Sequence, residues 1–318
     1  MRKKTWLIPA GIALAALAGL ALIGNGNALR KQAYAVAMPL DYFSAYDDIE
    51  PQLYQVAGPV YAFEQGFTRS LVLRTNDGIA VFDSFSDSHA ESLRAALARQ
   101  FPGERVRWVI FSHNHLDHIR GSAALQADEV IGHRDVDMLV SDWPDAGRGI
   151  ARVTRPIEGD QVLKLGDVEV RALYMPFSHS HTLYGFYLPQ QGVVYAPDMM
   201  FVRMVPPFDF PDYYYPGYVR ALDRLVALDA EHYVPSHGRR GSRDDLVAYR
   251  DMTVEFQQTV RSEMLARGIE SATDGAVMRE ILKASYDRLE PRYGDWHGFD
   301  AMFVPRFGRQ VGGTYLGY

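Results

Sequence analysis

Three imidazoles and a carboxylate fall within six residues of this chain: His113, His115, Asp117 and His118, in the order H-x-H-x-D-H. On a loop leaving a strand, residues two apart face one side, so His113 and His115 can clamp one cation. Asp117 and His118 sit on the following turn and can reach a second. Gly121 then frees the backbone for entry into a helix. The chain holds 10 histidines and no cysteine. The clustering is therefore informative, and thiolate ligands, thiol nucleophiles and disulfides are excluded. Imidazole and carboxylate donors suit zinc, manganese or iron. Further along, His179 or its neighbour His181, then Asp198, then His237 each follow a strand-like run. A lone histidine or aspartate at a strand end is more often structural. The ordered set behind H-x-H-x-D-H is what points to a two-metal site.

Short β-like runs surround these residues. Val60–Phe63, Ser70–Arg74 and Ile79–Asp83 read as an antiparallel meander, with Asn76-Asp77-Gly78 as a turn. Ser88–Gln100 has apolar residues three and four apart and reads as an amphipathic helix. Val106–Phe111 is an apolar strand that gives the histidine loop a rigid base. The second half repeats the plan loosely. Strands are expected at Val130–Gly132, Val162–Leu165, Val168–Met175, Tyr184–Leu188, Val193–Ala196 and Tyr233–Pro235, and a helix at Tyr218–Leu228. Asp244–Arg267 reads as a long helix with Ser242 as N-cap and Gly268 at its exit, and Gly275–Leu289 as another stopped by Pro291. The end, Asp295–Tyr318, is rich in aromatics and glycine.

From about Leu53 to Gly241 the sequence resembles the metallo-β-lactamase superfamily, with five recurring motifs in the family's order: Asp83 at the end of an early strand, the histidine-rich run, His179, Asp198 and His237. The resemblance implies an α/β (α+β) fold, an αββα sandwich with the metals at one sheet edge. Carried over residue by residue, His113, His115 and His179 would bind one zinc, Asp117, His118 and His237 a second, and Asp198 would bridge both. Asp83 would orient the ligand loop from behind. The interval to Asp198 favours His179 as the third histidine, with His181 the alternative. His115 stands where the di-iron branch of the superfamily carries an acidic ligand, which favours hydrolytic zinc chemistry, two Zn2+ per chain. Such a pair shares a water and lowers its pKa from about 16 to roughly 7, giving a bridging hydroxide as nucleophile. Asp117 would also orient that nucleophile or take its proton.

The expected organisation is residues 1–37 as signal peptide or membrane anchor with linker, 38–241 as the catalytic domain and 242–318 as a C-terminal helical extension. Arg2, Lys3 and Lys4 precede the uncharged apolar run Trp6–Ile23, which fits export with cleavage or anchoring equally. The location expected is periplasmic or extracellular, with membrane attachment through the N-terminal segment if it is retained. The 318 residues are 47% hydrophobic and 23% charged, with a formal net charge of −6. No basic surplus offsets phosphates, so a nucleic-acid partner is disfavoured. The expected partner is a small molecule: an ester, lactone, lactam, thioester or sulfate ester. Phe201, Phe208, Phe210, Tyr213, Tyr214 and Tyr215 follow Asp198 and read either as an apolar substrate wall or as packing. Arg239 and Arg240 read as solvated charges or as an anion clamp, and His297 as structural. A nuclease of the same superfamily and a zinc-binding protein without activity are the alternative readings.

Overall fold

The computed structural model describes residues 42–142, 148–207, 213–269 and 273–317. The expected export segment, Phe208 and Phe210 lie outside them. Among the described residues, twelve strands form two sheets. The first has seven strands in the order β1 (Gln52–Ala57), β2 (Val60–Gln65), β3 (Thr68–Thr75), β4 (Gly78–Phe82), β5 (Val106–Ile110), β6 (Glu129–His133) and β7 (Arg155–Ile157). The second has five, in the order β12 (His232–Pro235), β11 (Val193–Ala196), β10 (Tyr184–Leu188), β9 (Val168–Tyr174) and β8 (Gln161–Leu165). β1 to β4 pair antiparallel, as the meander predicts, and β4 to β7 pair parallel. The second sheet ends likewise on one parallel pair, β11 with β12. The loose repeat read from the sequence is thus a meander followed by parallel crossovers.

Alternation along β4 sets the layers. Ala80 and Phe82 point into the space between the sheets, with Leu71, Ile110, Val170, Phe186 and Tyr195. Ile79 and Val81 point the other way, against helix α1 (Asp87–Gln100) through Ala90, Leu93 and Leu97. α1 begins where Ser86 accepts from the His89 N–H as N-cap. Two short helices follow, α2 (Leu116–Ile119) and α3 (Val136–Ser141); then come α4 (Tyr215–Val226), α5 (Arg243–Arg267), α6 (Gly275–Tyr293) and α7 (Phe299–Leu316). This mixed α/β arrangement of two packed sheets with helices is the sandwich expected, with helices at the C-terminal end.

Packing divides the described chain into two compact units. The first comprises the described parts of Tyr46–Met204 and Phe210–Gln258 and contains both sheets. The second draws on Thr259–Tyr315 and holds the end of α5, all of α6 and most of α7. The expected junction at 241/242 coincides with the start of α5, whereas the packing boundary falls within that helix. α6 continues past Pro291, where Leu289 was the expected end, and the Gly294 N–H still reaches the Glu290 carbonyl at 2.8 Å. α7 falls within the expected helical extension, although no separate helix was read there. Its buried residues Phe299, Met302, Phe303, Arg306, Phe307 and Gln310 follow helical spacing despite Pro305 inside the helix.

Parallel pairing of β4, β5 and β6 brings their C-terminal ends to one edge, and with them Asp83, residues 111–118 and His133. The β11–β12 pair does the same for Asp198 and His237. β10 starts beside the end of β11, so the β9–β10 loop with His179 joins that edge. The Tyr184 N–H donates to the Ser112 carbonyl at 2.8 Å and ties the two edges together. Gly121 closes the histidine loop with φ +79, and a Cβ there would overlap the Ser86 carbonyl. Replacing Gly121 with Ala is expected to cost about 2–3 kcal/mol, read as a lowered urea midpoint; an unchanged midpoint would show that the loop is not pinned there.

α1 also carries His89 into the core at 2% exposure, where the Thr68 and Ser70 hydroxyls each lie 2.9 Å from a ring nitrogen. Burial, with help from the charge of His237, pushes its pKa down from 6.5 to about 3. The unfolded chain therefore binds more protons than the folded one between those values, and stability rises with pH across that window. The His89 contribution is fully present above pH 6.5 and is lost as pH falls towards 3. Wild-type stability is expected to fall on acidification with a slope approaching about 1.4 kcal/mol per pH unit more than that of His89→Gln. Parallel pH profiles for the two proteins would refute this.

Candidate metal centre

Donor atoms gather in two groups at the shared edge. His113, His115, His179 and Asp198 form one; Asp117, His118 and His237 form the other. Within each, the donor atoms lie within 4.8 Å of one another. All seven residues singled out in the sequence are therefore here. His181 is not: it stands with His133 and Asp135 in a separate group. Placement sets His179 among these donors, fully buried with its Nε2 3.0 Å from Asp198 Oδ2.

Asp198 links the two groups. Its Oδ2 faces His179 at 3.0 Å and His113 Nε2 at 3.8 Å. Its Oδ1 faces His118 Nε2 at 3.1 Å and His237 Nε2 at 3.1 Å. Its backbone takes φ +53, a strained conformation for a residue with a side chain. Three local bonds hold it there. Its N–H donates to Ser236 Oγ at 3.0 Å, that hydroxyl donates back to Oδ1 at 2.8 Å, and Tyr218 OH donates to its carbonyl at 2.9 Å. Burial raises the pKa of Asp198, but the charges of His118, His237 and His179 outweigh it and hold the carboxyl well below its usual range. For His118 burial lowers the pKa, and the carboxylates of Asp198 and Asp83 reverse this, leaving it well above the usual imidazole value.

Asp83 fixes which nitrogens face the pocket. It is fully buried with φ +60. Its Oδ1 accepts the Ser112 N–H at 2.8 Å. Its Oδ2 accepts Ser112 Oγ at 2.7 Å, Tyr195 OH at 3.1 Å and His118 Nδ1 at 2.9 Å. With its only proton given to Asp83, Ser112 Oγ must accept from His113 Nδ1, 2.9 Å away. His113 and His118 therefore keep a proton on Nδ1 and turn Nε2 toward the pocket, where a cation would take the place of the second proton that the carboxylates favour on His118.

The donor set fits divalent cations. His113 Nε2 is buried without a hydrogen-bond partner. His118 Nε2 and His237 Nε2 face each other at 3.0 Å, as do His179 Nε2 and His115 Nδ1. Nitrogens bound 2.0–2.1 Å from one tetrahedral ion stand about 3.3 Å apart, so these close N···N approaches match a shared cation. Asp117 is the open member. Its side chain is 66% exposed, and Oδ2 lies 3.8 Å from His237 Nε2.

Several supporting residues escaped the sequence reading. Ser112, Ser236, Tyr195 and Tyr218 carry no motif. Arg69, nearly wholly buried, donates to the Pro235 and Gly238 carbonyls at 3.0 and 2.9 Å and so frames His237. A charge inside the strand-like run of β3 was the one available signal. Asn114 Oδ1 accepts from Thr182 Oγ1 at 2.8 Å and joins the histidine loop to the His179 loop. Arg239 pairs with Asp48, and Arg240 with Glu64 and Gln52, so both are engaged by groups of the chain itself. Of the aromatics after Asp198, Phe201, Tyr213 and Tyr215 are buried and Tyr214 is at the surface. Phe201 lies parallel to the His237 ring at 6.4 Å. In the second unit, His297 Nε2 contacts the Tyr42 carbonyl at 2.8 Å, a structural contact.

A sequence model of the metallo-beta-lactamase superfamily matches residues 64–237. The 2,4-dinitroanisole O-demethylase subunit alpha of Nocardioides sp. (strain JS1661) is 26% identical over 245 residues, 75% of this chain and 72% of that protein. A hydroxyacylglutathione hydrolase of Legionella pneumophila (strain Paris) is 29% identical over 102 residues, 30% of this chain and 34% of the relative. Among solved structures, a double mutant of the sec-alkyl sulfatase PisA1 shares the fold with a TM-score of 0.63 at 14% identity, covering 88% of this chain and 55% of that one.

The Asp83 network generates a measurable consequence. Asp83→Asn keeps the shape but removes the charge that holds His118 Nδ1–H and Ser112. Divalent-cation affinity, probed with zinc, is expected to fall about 10- to 100-fold, measured by competition with a chromophoric chelator, with circular dichroism confirming the fold. Unaltered affinity would show that the histidine loop orients itself without Asp83.

Proposed function

Because the chain belongs to the metallo-beta-lactamase superfamily of metal-dependent hydrolases, we propose that it is a two-zinc enzyme that cleaves a small, partly apolar ester or related acyl compound outside the cytoplasm. His113, His115 and His179 hold the first ion in this reading, Asp117, His118 and His237 the second, and Asp198 serves both. The observation that carries it is the Asp198 carboxylate, with one oxygen toward each histidine group. Zinc bound there supplies a water of lowered pKa and a Lewis acid for the scissile group.

The chain's own residues do the rest. Asp83 and Ser112 hold protons on the outer nitrogens of His118 and His113, so the inner nitrogens are the ones turned toward the ions. Asp117, open to solvent, would accept a proton during attack through the carboxylate oxygen that does not face His237. Phe177, two residues from His179 and 66% exposed, offers an apolar surface to substrate. The basic start and apolar run Trp6–Ile23 support export. A second reading comes from the relative that spans most of this chain, the 2,4-dinitroanisole O-demethylase subunit alpha: removal of a methyl group from an aromatic ether at the same site.

The test is a substrate panel on zinc-loaded protein: nitrophenyl acetate and butyrate, a lactone, a thioester, a cephalosporin, nitrophenyl sulfate, a phosphodiester and 2,4-dinitroanisole. Turnover of the acyl compounds is expected, falling at least about a thousandfold in His115→Ala. Turnover of 2,4-dinitroanisole alone would replace the proposal by the ether reading. Response to the phosphodiester alone would make the protein a nuclease, and silence with zinc bound a non-catalytic binder.

A further inference from the structure

Beyond the Asp198 groups, the β6–α3 junction and the β9–β10 loop bring together two more imidazoles and a carboxylate. His133 is the last residue of β6, and Asp135 follows it as the N-cap position of α3. The Asp135 side chain makes no capping hydrogen bond, so its oxygens are free of that role. His181 arrives from the other sheet. We propose that His133, Asp135 and His181 form a further divalent-cation site, which clips the loop carrying His179 to the end of β6.

The geometry is close to what a cation needs. Asp135 Oδ2 lies 2.9 Å from His181 Nε2 and 3.6 Å from His133 Nδ1. These distances bracket the roughly 3.3 Å between ligands of one tetrahedral zinc. All three donor atoms lie within 4.8 Å of one another. Arg134 approaches the other carboxylate oxygen, Oδ1, at 3.7 Å and is itself held by Glu158 at 2.8 Å. Oδ2 is thus left to the histidines. The Asp135 N–H makes a long contact of 3.2 Å with His133 Nδ1, which a cation would replace.

The donors are pre-positioned. Tyr174 stacks on His133 with ring centroids 5.2 Å apart and planes 21° apart, and its hydroxyl donates to the His181 carbonyl at 3.0 Å. One aromatic side chain therefore backs the His133 ring and holds the main chain of His181. Burial lowers the pKa of His133, which keeps its lone pair available at neutral pH. His181 and Asp135 face solvent at 51% and 28% side-chain exposure, so an ion has access and water can complete its shell. Two imidazoles and one carboxylate without sulfur select zinc, with nickel and copper as competitors in the Irving–Williams order.

The clip stands apart from the two-zinc reading, because none of its ligands belongs to the Asp198 groups. Full-length protein stripped of metal is titrated with zinc alone at pH 7.5, by calorimetry, as wild type, His181→Ala, Asp135→Ala and His115→Ala. Wild type is expected to bind one more zinc per chain than His181→Ala or Asp135→Ala. His115→Ala is expected to lose binding elsewhere and keep this ion. The last increment of zinc is also expected to raise the wild-type melting temperature and to leave that of His181→Ala unchanged. His181 is half exposed, so its removal leaves the fold intact, which circular dichroism checks. Equal zinc stoichiometry in wild type and His181→Ala would overturn the proposal and leave an ordinary Asp–His contact. Loss of the same ion in His115→Ala and His181→Ala would overturn it too, by placing His181 in the Asp198 site. Failure of zinc to bind at Asp198 would leave the one-ion difference between wild type and His181→Ala intact.

Discussion

Burying the carboxylate of Asp198 among His113, His118, His179 and His237 is the constraint that the rest of the sheet-containing unit serves. A carboxylate at 3% exposure loses most of its hydration, a penalty of several kcal/mol unless charges and hydrogen bonds replace it. The neighbouring imidazoles supply part of that compensation, and Ser236 Oγ supplies a donor. Yet those imidazoles cannot all be protonated at such mutual distances, and neutral ones turn lone pairs toward each other. Cations resolve both problems at once, offsetting the carboxylate charge and accepting the lone pairs. The site is thus a set of groups that are poorly satisfied alone and well satisfied around metal.

Holding such a set in place consumes conformational freedom that ordinary loops keep. Non-glycine residues with positive φ include Asp83, Phe85, Phe177 and Asp198, all in the loops that bear or back the ligands. Strain of this kind persists only where the surroundings over-determine it. Here the surroundings are the ends of two packed sheets. Ser84 and Phe85 donate to the His118 carbonyl at 2.8 and 3.1 Å. The β3 backbone grips the other side, with Arg69 N–H on the Ser236 carbonyl at 2.7 Å and Gly238 N–H on the Phe67 carbonyl at 2.8 Å. The inter-sheet core of Phe82, Phe186 and Tyr195 supports the same edge, and Tyr195 reaches Asp83 directly.

Legibility in the sequence followed the range of the interaction. The strands and the ordered donor residues are local patterns, and the structure brings those residues to one sheet edge. The choice between His179 and His181 is not local, because both follow serine and precede a hydroxyl residue. The placement of His179 among the donors involves contacts distant in sequence, such as Thr182 with Asn114. Arg239 and Arg240 show their charge in sequence but not their partners Asp48 and Glu64, which lie far away along the chain. α7 was legible in principle, since Phe299, Phe303 and Phe307 recur every four residues. Its glycines and Pro305 masked that period, and burial of one face overrode their poor helix propensity.

Substrate selection has to come from what surrounds the metal donors, since those donors serve many chemistries. Phe177 is the side chain whose exposure is hardest to attribute to chance. Its ring faces solvent while its backbone sits at φ +51. A Cβ on Gly217 would overlap the Phe177 carbonyl, so the first turn of α4 packs directly against it. The next carbonyl, that of Ser178, accepts the Tyr214 N–H at 2.9 Å. An exposed aromatic on a mobile loop would need no explanation. One whose carbonyl and the next are both held by α4 and the residue before it, two residues before a buried His179, is held out at a fixed place, with its ring 6.3 Å from that of His181. Phe177 and His179 thus belong to one short segment that the start of α4 contacts directly, so the position of the exposed ring and that of the buried donor are set by the same contacts.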